Sequence, residues 1–405
     1  MTAKIRQPVS WMVKATVVSA NIPLAIAYTA PSPVLAKMSA ELAHSAMDAY
    51  LVKMTVGILG LAMIVGAPIA GFLADRFGRR AILTGAGLLF ALAGVVPMFV
   101  QDLRTIVVSR IFVGFAAMAF GTLGSTIVGD YFGEEENPHW MGILVSSAMI
   151  VSLLAVPLAG FMGDYGWRWP FLLNLIGLPV ATIAWLGVKR FPAERVSATT
   201  ADARAKGTPI PVGLLLIAFV VGICIYTPAI YAPFRLRELG IEHPSSVGLS
   251  LTVNGVIGAV VAWFFGLARR HYSARIVFCF SFGVFGIGMA VLALAPAFYP
   301  ALVGLFFIGI GMAWMPANAY SLGVSGAEEH SRGRIMGLVR SAEAAAPAIG
   351  ITVLEPWTRR FGLEPVLLSI AGVAVLMAGV MAIRWLVVLL VPNSEAGWTA
   401  AESEG

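Results

Sequence analysis

Long apolar stretches separated by short polar segments make up most of this chain. Apolar residues run almost continuously within them, rather than on one face of a helix. A hydrocarbon core of about 30 Å requires about 20 mostly apolar helical residues, and backbone groups in lipid must pair within their own segment. The pattern therefore predicts an all-α polytopic membrane protein with twelve spans, at residues 12–35, 50–73, 79–101, 104–130, 138–163, 168–190, 211–235, 245–268, 274–295, 298–325, 332–354 and 364–391.

One long hydrophilic stretch, residues 191–210, divides the predicted spans into two sets of six. We predict an N-terminal bundle at 1–190, a cytoplasmic linker at 191–210, a C-terminal bundle at 211–392 and a cytoplasmic tail at 393–405. Transporters that work by alternating access are often built from two such related halves. The acidic loops at 133–142 and 326–337 both run into Met-Gly at equivalent positions, which favours an internal repeat.

Composition excludes a soluble protein. Hydrophobic residues make up 59% of the 405 residues and charged residues 12%, where soluble domains have about 25% charged residues. Cys224 and Cys279 lie in apolar runs, so no disulfide framework is implied, and the five histidines form no metal-ligand spacing. No phosphate-binding Gly-Lys-Ser/Thr sequence occurs. We therefore expect no enzyme activity, no metal, no cofactor and no nucleic-acid partner.

Basic residues indicate the orientation of the spans. With the N-terminus inside, sixteen Lys and Arg residues fall on the cytoplasmic side and eight on the other, Lys53 among the eight. Cytoplasmic loops are enriched in Lys and Arg, so we predict that both termini are cytoplasmic. The first apolar run is long, contains prolines and precedes many more spans, so we do not expect a cleaved signal peptide. The expected location is a bacterial cytoplasmic (inner) membrane.

The run Gly-x-x-x-Asp-Arg-x-Gly-Arg-Arg at 71–80 is the most specific motif. It closely resembles the loop 2–3 signature of the major facilitator superfamily, and the resemblance covers essentially the whole chain in layout. It implies a cytoplasmic latch in which Asp75, Arg79 and an acid at the end of span 4 come together. We hypothesise that this latch locks the outward-facing state. The implied latch residues are Gly71, Asp75, Arg76, Gly78, Arg79 and Asp130.

Arg110 lies about six residues into predicted span 4. A guanidinium in a membrane costs at least a few kcal/mol without partners, so intramembrane charges are usually functional. The alternative is a side chain that snorkels to the outer interface. The family carries an arginine at the matching place in Arg-x-x-x-Gly, which implies a role in proton coupling or in binding substrate charge.

Arg340 and Glu343 are three residues apart on span 11, where their side chains share one helix face and can pair. The pair is either purely structural, or Glu343 is a protonatable coupling group. Span 1 contains no Asp or Glu, although many multidrug exporters keep one there. If protons couple to transport, Glu343 is the main remaining acid.

Span 5, with Pro157, resembles the exporter-associated Gly-Pro span of the family, but Val156 stands where that pattern prefers glycine. Other polar or aromatic residues within spans either line the cavity, serve as contacts between helices or anchor at the interface. These cavity candidates are Asn21, Tyr28, Tyr226, Asn254, Trp314 and Asn318.

The leading functional prediction is proton-coupled export, by antiport, of a small organic or amphipathic compound. The alternative is proton-coupled uptake of an organic anion, with Arg110 and Arg340 binding a carboxylate. A non-transporting membrane sensor is the remote third hypothesis. The expected partners are the substrate, protons and the lipid bilayer, and the protein is expected to be a monomer.

Topology can be tested with reporter fusions. A tag at residue 200 is expected to be cytoplasmic, because it lies in the predicted linker. A tag that reports an outside location, or an odd number of crossings, would contradict the two sets of six spans.

Overall fold

The structure is a computed structural model that describes residues 9–133, 136–188, 212–325 and 332–390. All regular secondary structure in these ranges is helical. The α-helices of the first half are Trp11–Ala20, Ile22–Thr29, Leu35–Leu42, Ala46–Phe77, Arg79–Gly94, Leu103–Tyr131, Asn137–Tyr165 and Gly177–Gly187. Those of the second half are Val212–Glu238, Pro244–Ala262, Phe265–His271, Ala274–Leu294, Phe298–Ser325, Arg332–Phe361 and Leu363–Leu390. Short 3-10 helices occupy Ser32–Val34, Val96–Met98 and Trp169–Ile176.

Twelve helical stretches in the described residues are long and apolar enough to cross a membrane. This confirms the predicted number of spans and the all-α class. Many of their large apolar side chains are exposed, as a surface in contact with lipid requires. In chain order, spans 1 to 12 are Trp11–Leu42, Ala46–Ala74, Arg79–Met98, Leu103–Tyr131, His139–Tyr165, Trp169–Gly187, Val212–Glu238, Pro244–Ala262, Ala274–Leu294, Phe298–Gly323, Ile335–Phe361 and Leu363–Val387.

The chain forms two compact units. The first unit comprises Met1–Pro31 and Met54–Val196, and the second comprises Ser32–Lys53 and Ser197–Gly405. The sequence analysis assigned Ser32–Lys53 to the first half, whereas the structure places this segment in the second unit. Two bundles of six spans each therefore stay a prediction, and the predicted linker and tail lie outside the described residues.

Hydrogen bonds explain why Ser32–Lys53, called the crossover segment below, belongs to the second unit. The Ser32 hydroxyl donates to the Ala229 carbonyl at 2.6 Å, and the Arg237 guanidinium donates to the Ala36 carbonyl at 2.5 Å. Both partners lie on span 7. These contacts join positions about 200 residues apart, which the local pattern of the sequence does not predict.

Span 4 is central to the first unit. Val113, Ala117, Phe120 and Ile127 recur at helical spacing and are almost completely buried in the apolar core of that unit. The helix begins after Asp102, whose carboxylate accepts hydrogen bonds from the Thr105 amide at 2.9 Å and the Thr105 hydroxyl at 2.6 Å. These bonds lower the pKa of Asp102 and satisfy an amide that the first helical turn leaves unpaired.

Spans 9 and 10 of the second unit pack through glycines. A Cβ at Gly288 would lie 2.6 Å from the Ile308 amide nitrogen, and a Cβ at Gly304 would lie 2.7 Å from that of Leu292. Gly311 is equally close to Phe285. Small residues allow backbones to approach, which is how membrane helices gain van der Waals contact without a hydrophobic driving force.

Spans 1, 8 and 11 are among the predicted spans that differ from the observed ones. Span 1, predicted as one helix, is interrupted at Asn21 and again at Ser32–Val34, and span 8 is interrupted after Ala262. Span 11 was predicted to end at 354, but its helix continues to Phe361. Glu355 is buried against a basic partner there, so its charge does not mark the end of the span.

The close packing of spans 9 and 10 predicts the effect of Gly311→Ala. The added Cβ would lie 2.5 Å from the Phe285 amide nitrogen, and overpacking of this kind costs about 1–3 kcal/mol. We expect a lower melting temperature of the solubilised protein. Gly372→Ala is the matched control, because a Cβ there meets no atom within 4 Å; equal melting temperatures for the two variants would contradict the packing.

Candidate functional site

Arg110 is the most deeply buried charge of the first unit, with no exposed surface. Its Nε donates to the Thr55 carbonyl at 3.2 Å, and its Nη2 donates to the Ala27 carbonyl. The guanidinium carbon lies 5.8 Å from the centroid of the Phe171 ring. Arg110 therefore does not snorkel to an interface, and the alternative given for it in the sequence analysis is wrong.

The hydrogen-bond partners of Arg110 carry no charge. They are backbone carbonyls of spans 1 and 2, so the guanidinium joins these spans to span 4. Its Nη1 is buried without a hydrogen-bond partner among the described residues. A buried charge satisfied only by dipoles is costly, and such groups in membranes usually serve function.

Asn21 and Tyr28 are half-buried on span 1 of the same unit. The Asn21 amide donates to the Leu144 carbonyl at 3.1 Å, while its Oδ1 is buried without a partner in the described part of the chain. The Tyr28 hydroxyl donates to the Met63 sulfur at 3.5 Å. Asn21 thus keeps an unsatisfied acceptor at the interruption of span 1, where it could bind a neutral donor.

Glu343 of the second unit contacts a residue that the sequence analysis did not select. The Tyr320 hydroxyl donates to Glu343 Oε2 at 2.5 Å. The Arg340 guanidinium carbon lies 5.1 Å from the centroid of the Tyr320 ring. Among the described residues no ion pair joins Arg340 directly to Glu343, so the predicted direct pair is replaced by an arrangement around Tyr320. The available signal was the position of this tyrosine in span 10, two residues after Asn318.

Trp314 and Asn318 use their polar groups to join helices. The Trp314 indole donates to the Val261 carbonyl at 2.7 Å, next to the interruption of span 8. The Asn318 amide donates to the Ala274 carbonyl at 2.9 Å and has no exposed surface. In this structure Asn318 therefore lines no open cavity, and Trp314 could offer a ligand only the face of its ring.

The other two cavity candidates of the second unit have less specific surroundings. Asn254 is buried on span 8, and its amide makes a weak contact with the Met312 sulfur at 3.9 Å. Tyr226 is half-buried on span 7.

The structure brings two of the implied latch residues together. Arg79 forms an ion pair with Asp130, and both side chains are about one-third exposed. Gly78 has φ of +85°, a left-handed conformation that favours glycine and makes the tight turn between spans 2 and 3. Arg76 is exposed, and the side chain of Asp75 lies outside the described residues. A Cβ at Gly71 would meet no atom within 4 Å, so close packing does not require glycine there.

Lys53 and Glu355 form a buried ion pair that the sequence analysis missed. The Lys53 Nζ lies 2.5 Å from Glu355 Oε2, and the side chains are 6% and 4% exposed. Both residues stood near predicted span ends, where charges are ordinarily solvated. Opposite charges near the ends of two spans were a usable signal, although they do not show which spans are neighbours.

Metal ligands do not cluster in the described ranges, where no group of three or more His, Cys, Asp or Glu residues is placed to hold an ion. The polar groups described above are suited to hydrogen bonding and proton binding.

Comparisons with known proteins agree over most of the chain. A family model described as Major Facilitator Superfamily matches residues 17–351. The chain is 25% identical over 377 residues to an uncharacterized MFS-type transporter, YwfA, of Bacillus subtilis (strain 168), a match that covers 88% of this chain and 91% of that protein. It is also 25% identical over 324 residues to the class C tetracycline resistance protein of Escherichia coli, covering 75% and 79%. The crystal structure of a D-xylose-proton symporter has the same fold, with a TM-score of 0.75 at 18% identity over 92% of this chain and 97% of that one.

The two carbonyl contacts of Arg110 predict a loss of stability in Arg110→Lys. A single ammonium cannot reproduce the planar donor set that serves Ala27 and Thr55 together, and hydrogen bonds to charged groups contribute about 1.5–3 kcal/mol. Thermal unfolding of the solubilised protein measures the effect. Arg104→Lys, an exposed change in the first turn of the same helix, is the control; an equal result for both would mean that the carbonyl contacts contribute nothing.

Proposed function

The chain belongs to the Major Facilitator Superfamily and is an integral membrane transporter; we propose that it exports a small organic or amphipathic compound in exchange for protons. The similarity to a tetracycline resistance protein supports export. The Gly-Pro-like span 5 and the loop 2–3 signature support it from the sequence. The name of that relative does not identify the substrate of this chain.

The position of Glu343 is the observation that carries proton coupling. Among the acidic residues of the described ranges, Glu343 lies away from both ends of its helix, whereas most others stand near helix ends or in loops. A carboxyl group in a membrane interior can bind and release one proton, and acids in such positions mark proton relays. The Tyr320 hydroxyl donates to this carboxyl group at 2.5 Å, and Arg340 lies beside the same tyrosine ring.

Exchange requires that bound proton and bound substrate disfavour each other. When Glu343 is charged, its carboxylate accepts the hydrogen bond of the Tyr320 hydroxyl. When Glu343 is protonated, the negatively charged acceptor is lost, so a substrate group that donates a hydrogen bond to this carboxylate binds less well. The Tyr320 ring also contacts Arg340, so protonation changes the environment of a cation that is exposed on span 11.

Uptake of an organic anion with protons is the second candidate. Arg340 is exposed, and Arg110 retains a buried nitrogen without a hydrogen-bond partner in the described part of the chain. Either group could bind a carboxylate. Arg110 supports this candidate less, because its other nitrogens already bind carbonyls of neighbouring spans.

From the basic-residue distribution and the bacterial relatives we propose that the protein lies in a bacterial cytoplasmic membrane with both termini cytoplasmic. A monomer stays an expectation. A growth screen of an overexpressing strain against toxic compounds and sole carbon sources would identify candidate substrates. Transport into proteoliposomes with an imposed pH gradient then separates the candidates. Antiport moves substrate against the proton flux, and symport moves it with the flux.

The proton role of Glu343 predicts a specific defect in Glu343→Gln. The amide cannot take up a proton, so transport driven by a pH gradient should fall to background while substrate exchange without a gradient continues. Both are measured in proteoliposomes with the full chain. Glu364→Gln, an exposed change in the first turn of span 12, should behave as the unmodified protein; gradient-driven transport by Glu343→Gln would refute the assignment.

A further inference from the structure

The second unit contains a buried charge pair that is separate from the Tyr320 and Glu343 contact. Lys53 is the last residue of the crossover segment, and Glu355 lies on span 11, twelve positions after Glu343 in the sequence. At about 1.5 Å per helical residue the two acids are about 18 Å apart along one helix. The pair at Glu355 is therefore a different site.

Aromatic rings and a second cation surround the pair. The Lys53 ammonium lies 5.2 Å from the ring centroids of both Tyr231 and Phe234 on span 7. The Arg359 Nε lies 3.6 Å from the other oxygen of Glu355. The Tyr231 hydroxyl is buried with no hydrogen-bond partner in the described ranges. Within the described ranges, the charged and titratable groups that interact with Glu355 are Lys53, Arg359 and Tyr231.

Phe234 borders both the pair and an open cavity. This cavity, of about 450 Å³, is lined by residues of the crossover segment, including His44, together with Phe234 and Arg237. Because Phe234 lines the cavity and also contacts Lys53, the cavity reaches the ring that lies against the ion pair. Rotation of that ring would give a proton access to Glu355.

The pair helps to hold the crossover segment on spans 7 and 11. Next to it, the Tyr50 and Thr352 hydroxyls are 3.1 Å apart, and Arg359 donates to the Ala46 carbonyl. A buried ion pair is stable only while both partners are charged, because removal of one charge leaves the other uncompensated. Neutralisation of Glu355 would leave Lys53 charged and buried, which opposes docking of the segment.

We propose that the Lys53–Glu355 pair is a second proton-binding site, at which a proton taken up through the cavity neutralises Glu355 and releases the crossover segment from spans 7 and 11. The proton binds to the Glu355 carboxylate, and no other bond forms or breaks. The release does not depend on Glu343. Its place in a transport cycle rests on the proposed proton-coupled function.

Spin labels on the full chain test the proposal without a known substrate. The labels are attached to Tyr50→Cys and Thr352→Cys, in a chain that also carries Cys224→Ala and Cys279→Ala. These positions lie at a contact between the crossover segment and span 11. Dipolar broadening of the spectrum reports docking. We expect broadening at neutral pH and its loss on acidification.

Variants assign the pH response to the pair. Glu355→Gln mimics the protonated acid, so broadening should be absent at both pH values. The double change Lys53→Met with Glu355→Gln removes both charges and should restore broadening at both. Glu364→Gln, exposed on span 12, should respond to pH as the parent chain does.

Two outcomes would overturn the second site: broadening that does not change with pH in the parent chain, or a Glu355→Gln variant that cannot be distinguished from the parent. Restored broadening in the double variant shows that a folded chain was measured. A pH response of the labels in a chain that does not transport would support the site while refuting the proposed function. Proton-driven transport without a pH response of the labels would support the proposed function and refute the second site.

Discussion

The structure depends on how a small number of charges are satisfied inside apolar spans. Removing an ion from water costs several kcal/mol, so each buried charge requires compensation. Arg110 obtains it from the backbone carbonyls of Ala27 and Thr55, whereas Lys53 and Glu355 compensate each other. Glu343 accepts the hydroxyl of Tyr320. In each case the compensation joins different spans, so the charges also determine which helices are neighbours.

The three arrangements differ in their response to protonation. Arg110 stays charged because a guanidinium does not lose its proton in proteins. Its hydrogen bonds to the two carbonyls are therefore independent of pH. Glu343 and Glu355 are carboxylates, and each partner arrangement changes when the acid is neutralised. Both lie on the continuous helix Arg332–Phe361. That helix therefore carries the proposed coupling site and the proposed second proton site.

Interruptions of the spans place polar groups where a straight helix would not. Asn21 stands at the interruption of span 1 and retains an unsatisfied acceptor, and the interruption of span 8 lies next to the carbonyl that Trp314 binds. Irregular backbone at membrane depth is tolerated only where protein groups or water satisfy it. The Val261 carbonyl at the interruption of span 8 accepts the Phe264 amide and also the Trp314 indole. An indole that was selected as a cavity residue therefore contributes to packing.

The sequence alone determined the all-α class, the twelve spans and the family, because continuous apolar stretches and the motif at 71–80 are local properties. It also selected Arg110 and Glu343, since charges stand out in apolar runs. Only the tertiary structure decided the partners: Tyr320 for Glu343, carbonyls for Arg110 and Lys53 for Glu355. Those contacts join spans far apart in the chain, and a periodic pattern contains no information on which spans meet. For the same reason the sequence does not predict that Ser32–Lys53 belongs to the second unit.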